Sequence, residues 1–194
     1  MELMWPKEAL YQNLYFQYTS SPNSAKGMYS TQYHLDSDRV PLYAPLKLRI
    51  RPLPFPDSLK EKLTIVRIHA DKGPQNVVAH WKGDWLECQI AKLGTYQIVA
   101  DTTPPAIKLE RKGDTPEEIQ FSFSVTDDLP PPGGLSYRFS LNNQWILGEY
   151  DLKNDRLTCR INRKEWMEDK YHFKLLVEDS VGNTSSYDSR LNFK

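Results

Sequence analysis

His34-Leu-Asp-Ser-Asp38 places an imidazole and a carboxylate four residues apart, a spacing from which a zinc ion can be held. A catalytic zinc needs about three protein ligands around an open position. No His-x-His follows, and the four histidines, His34, His69, His80 and His172, are far apart in the chain. The pair therefore reads as a polar strand end running into a turn. Cys88 and Cys159 fall one in each half, with no Cys-x-x-Cys and no adjacent histidine. A disulfide needs Cα atoms within about 7 Å, which two separate cores rarely provide, so both cysteines read as small buried hydrophobes. There is no Gly-x-Ser-x-Gly elbow, phosphate-binding loop or His-Glu-x-x-His. A hydrolase with an unrecognised site would need a polar pocket gathering two or more of the four histidines. The expectation is no enzyme: no catalytic residue, no metal and no cofactor.

Two other residue types can bind. Asp101, Asp127, Asp128 and Asp179 sit at the ends of strand-like segments. Calcium takes 6–8 oxygens and is served by dense Asp-x-Asp-x-Asp loops, which are missing here. Each Asp then caps its own turn; whether Asp101, Asp127 and Asp179 bind calcium stays open. Tryptophans facing solvent can stack on sugar rings, although core packing is their commoner use. Trp81 and Trp85 flank the tight hairpin Lys82-Gly83-Asp84, and Trp145 and Trp166 belong to the second half. Trp166, within the charged segment Asn162–Lys170, is the strongest candidate for a solvent-facing ring. The candidate ligand-binding residues are Trp81, Trp85 and Trp166.

These residues must be positioned by strands. Asp101-Thr-Thr-Pro-Pro-Ala-Ile107 divides the 194-residue chain nearly in half. Pro104 and Pro105 cannot donate to a β-ladder and each fixes its own φ near about −65°, so the segment reads as a stiff connector. Asp101, Pro104 and Pro105 form the expected domain joint. Before it, Leu46-Lys-Leu-Arg-Ile-Arg51 alternates strictly, and strands are expected at 13–18, 28–35, 62–69, 77–81, 85–89 and 94–100, with a loop over Thr19–Gly27. After it, Ile119/Phe121/Phe123/Val125, Tyr137/Phe139/Leu141, Leu157/Cys159/Ile161 and Tyr171/Phe173/Leu175/Val177 alternate, with turn signals every 8–12 residues. Residues 144–150 read as one strand, and about seven strands are expected in all. Helical turns are expected near Asp57–Lys62 and Arg163–Asp169. The fold class is all-β: two consecutive β-sandwich domains, 1–101 and 102–194, the second immunoglobulin-like.

Lys+Arg and Asp+Glu are both 25, a formal net charge of zero. Nucleic acid, and an anionic membrane surface, reward a basic excess that is absent. No apolar run approaches the ~20 residues of a membrane span. Met1-Glu-Leu-Met-Trp-Pro6 lacks a basic region followed by an apolar run, so an export signal, if there is one, lies outside this chain.

Pro6-Lys-Glu-Ala-Leu-Tyr11, Val40-Pro-Leu42 and Gly94-Thr-Tyr96 leading into Asp101-Thr-Thr-Pro-Pro105 resemble the C-terminal, non-catalytic region of Gram-negative envelope proteins of the lysostaphin-type zinc metallopeptidase family. Leu141-Asn-Asn-Gln-Trp-Ile-Leu147, Tyr150-Asp151 and Val177-Glu-Asp-Ser-Val-Gly-Asn183 continue the likeness, which spans most of the chain. The opening Pro-Lys-Glu-Ala-Leu also resembles the β-sandwich domain shared by ankyrins and netrin receptors. The peptidase resemblance implies a periplasmic or cell-envelope location and a zinc peptidase domain preceding Met1, with His-x-x-x-Asp and His-x-His in that missing domain. The expected function is an accessory, spacer or docking region of a peptidoglycan endopeptidase-like protein. The alternative is a module binding cell-wall glycan or peptide through exposed tryptophans.

Overall fold

The structure is a computed structural model that describes residues 1–22, 25–69, 71, 73–151 and 153–193. It is all-β, built of four antiparallel sheets, and divides into two compact units, Met1–Thr102 and Thr103–Lys194.

Unit 1 contains β1 (Glu2–Met4), β2 (Tyr18–Ser21), β3 (Gln32–Leu35), β4 (Leu46–Ile50), β5 (Leu63–His69), β6 (Gly73–Asn76), β7 (His80–Lys82), β8 (Trp85–Ile90) and β9 (Gly94–Ala100). One sheet has the order β1-β4-β8-β7 and the other β2-β3-β9-β5-β6. β4 shows why the sequence folds this way. Leu46, Leu48 and Ile50 point inward and are fully buried, while Lys47 and Arg49 face out and pair with Glu87. A strand of period two buries one face and solvates the other. Leu35, Ile65, Leu86, Ile90, Leu93, Tyr96 and Ile98 complete the core; each fully buried aliphatic stabilises by about 1.5–3 kcal/mol. The β7–β8 hairpin turns at Gly83, whose φ of 62° suits the two-residue loop.

Unit 1 departs from the expected strands in three places. Residues 13–17 are irregular and β2 begins only at Tyr18, so the segment from Thr19 read as loop is partly strand. Alternation of Leu14, Phe16 and Tyr18 was insufficient because, among the described residues, no strand pairs with 13–17; only Tyr18 onward pairs, with β3. The 28–35 strand shortens to β3, with Met28 keeping a single bridge to Val99. The strand expected at 77–81 is broken: Val78 has φ 49°, and its N–H donates to Asn76 Oδ1 at 2.8 Å, forming a side-chain turn between β6 and β7.

Unit 2 contains β10 (Ala106–Asp114), β11 (Glu118–Thr126), β12 (Ser136–Leu141), β13 (Gln144–Ile146), β14 (Gly148–Asp151), β15 (Arg156–Asn162), β16 (Lys170–Glu178) and β17 (Thr184–Asn192). Its sheets run β10-β11-β15-β14 and β13-β12-β16-β17. This is the A-B-E-D and C′-C-F-G arrangement of an immunoglobulin-like sandwich. Phe121, Phe123, Phe139 and Phe173 meet between the sheets, with Phe121 and Phe173 stacked at 4.2 Å between centroids. The single strand expected at 144–150 is two. The chain leaves β13 after Ile146 and joins the opposite sheet at Gly148. β10 is longer than the strand expected at 107–110, with a bulge between Leu109 and Arg111. Short 3-10 turns lie at Asp57–Lys62 and Arg163–Glu165, where helical turns were expected.

Candidate functional site

The residues with chemical potential in unit 1 converge on one polar cleft of about 360 Å³. β3 supplies His34, the turn after it Asp36 and Asp38, β5 supplies Arg67 and His69, and the start of β9 supplies Thr95. The cleft thus gathers two of the four histidines, together with both members of the His34–Asp38 spacing. Arg67 organises it. Only 8% exposed, Arg67 donates Nη2 to Asp38 Oδ2 at 3.1 Å and Nη1 to His69 Nε2 at 2.9 Å. A guanidinium only donates, so His69 Nε2 accepts and its proton is on Nδ1. Gly94, at φ 127°, makes room: a Cβ there would lie 3.3 Å from Arg67 Nε.

Each member of the cleft has a partner. Both oxygens of Asp36 accept backbone N–H groups, from Gln17 at 2.8 Å and Ser37 at 2.6 Å, and these bonds hold its carboxyl below the usual range. His34 Nδ1 meets Thr95 Oγ1 at 3.0 Å. That hydroxyl–imidazole contact is the first half of a nucleophile–base pair. Among the described residues no carboxylate hydrogen-bonds the other nitrogen of His34. No three His, Cys, Asp or Glu ligand atoms in this cleft lie within 4.8 Å of one another among the described residues. The Arg67 guanidinium itself supplies the positive charge beside Asp38 and His69. His80 and His172 lie outside the cleft.

The three tryptophans singled out from the sequence are each half-buried and in contact. Trp81 packs 5.8 Å from Phe55 and donates its indole N–H to Lys60 O at 3.0 Å. Trp85 lies under the Arg49 guanidinium at 5.2 Å. Trp166, the strongest candidate for a solvent-facing ring and equally placed to plug the end of the sandwich, packs against the unit 2 core in edge contact with Tyr171 at 5.4 Å. The most exposed tryptophan is Trp145, 56% exposed on β13, ahead of Trp5 at 37%. Alternation points to it, because Ile146 is the inward residue of that three-residue strand; the charge of the flanking sequence, which favoured Trp166, does not.

A second surface was not foreseen. Tyr11 and Tyr43 form an exposed edge-to-face pair at 5.4 Å beside a cleft of about 360 Å³ lined by Leu10, Leu14, Val40 and Pro41. Tyr15 next to it is 97% exposed. Residues 9–14 reach this place through the Leu10–Leu42 bridge and the bond from Tyr43 N–H to Ala9 O.

Two of the acidic strand ends, Asp127 and Asp179, cap turns of their own. Asp127 Oδ1 accepts the Leu129 N–H at 2.8 Å, and burial, reinforced by Asp179 and Asp128, pushes its carboxyl above the usual range. Asp179 accepts the N–H groups of Val181 and Asn183 at 2.9 and 2.8 Å, and Asn183 Nδ2 at 2.7 Å. Asp101 is buried, and its N–H donates to Lys62 O at 2.8 Å. Pro104 is exposed and Pro105 buried, directly before β10. Cys88 and Cys159 are free and buried, and burial pushes both thiols up to about 12. No helix among the described residues is long and apolar enough to cross a membrane.

A model of the Zu5-like domain matches residues 1–101. No curated protein matches the chain.

Proposed function

The chain belongs to the Zu5-like domain family, and from that premise we propose that it is a non-catalytic accessory region of a cell-envelope, peptidase-like protein. It works in the periplasm or envelope beside a zinc peptidase domain of the lysostaphin type, placing or docking that domain. One observation carries this reading. The groups most able to do chemistry, His34, Asp38, Arg67 and His69, are tied to one another or to Thr95 in the fold. Both thiols are likewise buried in their protonated form. The likeness of 6–11, 94–105 and 177–183 to the non-catalytic region of that peptidase family supports the context. The Tyr11/Tyr43 cleft offers the docking surface for the peptidase domain, and Pro104 and Pro105 fix two backbone angles in the connector.

The test is hydrolysis. The purified chain, incubated with cell-wall peptides with and without added zinc, is expected to release no product above a blank. Cleavage that disappears in His34→Ala or His69→Ala would make the polar cleft an active site and overturn the proposal.

A further inference from the structure

The outer face of the β13-β12-β16-β17 sheet carries one large aromatic ring among polar neighbours. The strand registers set its rows. Trp145 lies beside Ser140, Ser140 beside Lys174 and Lys174 beside Asp188. The next row is Arg138, Leu176 and Ser186, and the one after it Ser136, Glu178 and Thr184. Trp145, Ser136, Tyr137, Arg138, Leu176 and Glu178 line a shallow cleft of about 320 Å³.

We infer that this face is a binding platform for a neutral oligosaccharide. A pyranose ring offers a face of C–H bonds and a rim of hydroxyls. The C–H face needs a flat, accessible π surface, and Trp145 at 56% exposure supplies it. The rim needs donors and acceptors that are not already spent. Among the described residues the Trp145 indole N–H, the Arg138 guanidinium and the Glu178 carboxylate have no hydrogen-bond or ion-pair partner. Trp81, by contrast, spends its indole N–H on Lys60 O. Arg138 presents paired donors and Glu178 paired acceptors, which suits neighbouring hydroxyls on one sugar ring.

The charge pattern selects this occupant over others. The buried core of a protein interface is depleted in charged residues. Here Arg138, Lys174, Glu178 and Asp188 occupy the rows at and beside the ring. Arg190 in the row beyond Lys174 adds one more cation, but Glu178 and Asp188 interrupt the positive charge, so a polyanion such as nucleic acid gains little from the surface. Ser140 and Ser186 keep the rows low, leaving the indole as the raised feature against which a sugar can lie.

The experiment uses the full chain and neutral tetrasaccharides of glucose, mannose, xylose and N-acetylglucosamine. Binding is read by tryptophan fluorescence and by backbone amide shifts. At least one sugar is expected to give saturable quenching, with shifts clustered on β12, β13 and β16. Trp145→Ala should weaken that binding about tenfold or more, and Arg138→Ala should weaken it too, both with unchanged melting curves because both side chains are exposed. Trp85→Phe should leave it unaltered. Flat titrations with every sugar up to about 10 mM, or binding that survives Trp145→Ala, would overturn the inference.

Discussion

Gly148→Ala tests how the chain crosses from one sheet of unit 2 to the other. Gly148 opens β14 directly after Leu147 and pairs with Cys159. A Cβ added there would lie closer than 3.0 Å to both Cδ2 and Cε2 of Phe139. Ordinary carbon contacts sit at about 3.5–4.0 Å, so the ring or the strand would have to move by more than about 0.5 Å. The ring has little freedom. Phe139 is 1% exposed and hemmed by Phe173 at 5.9 Å, Tyr137 at 6.0 Å and Phe123 at 6.2 Å. Overpacking of this kind costs about 1–3 kcal/mol. The reduced freedom of the unfolded chain returns at most about 0.4–1 kcal/mol. The expected net loss is about 1–2 kcal/mol, or roughly 4–16 °C for a unit of this size. The assay is urea and thermal denaturation of the full chain, followed by near-ultraviolet circular dichroism and fluorescence. A double-mutant cycle with Phe139→Leu separates the clash from other causes. The alanine should cost clearly less once the ring is smaller, giving a coupling above about 0.5 kcal/mol. An unchanged melting temperature for Gly148→Ala, or zero coupling, would refute the account of the crossing.

Further outcomes can be measured on the same protein. The folded Asp127 carboxyl lies above its unfolded value, chiefly through burial, so its contribution to stability is present below the unfolded pKa and lost as pH rises through the folded one. Asp127→Asn keeps an oxygen for the Leu129 N–H and should raise the melting temperature at neutral pH, a gain that fades below about pH 4. A pH series of melts checks this, and a gain confined to acid pH would contradict it. Thiols pushed up to about 12 by burial should react with Ellman's reagent in the native chain far more slowly than in denaturant. Both should titrate in denaturant; rapid native labelling of either would remove them from the buried interior.

Legibility followed periodicity. Leu46/Leu48/Ile50 and Ile119/Phe121/Phe123/Val125 declared their strands because alternate side chains had to be buried on one face, and the structure buries them. Asn13–Tyr18 alternated equally well and is irregular over 13–17, because pairing depends on a neighbour that local sequence does not reveal. Residues 144–150 read as one strand because a change of sheet leaves no mark in alternation. Its only sign is Gly148, where the backbone passes against Phe139.

The candidate sites divide in the same way. The sequence by itself determined the class: alternating strands, and two halves about the Pro104–Pro105 segment. Periods and turn residues are local properties, and they survive without knowledge of the neighbours. Tertiary structure alone decided which side chains meet. It brought His34, Asp38, Arg67 and His69, up to 35 residues apart, into one cleft and bound them to one another or to Thr95. It also turned Trp166 against the core and left Trp145 in solvent. Exposure and pairing are set by which strands become neighbours, and that choice is made by the whole sandwich rather than by any one segment.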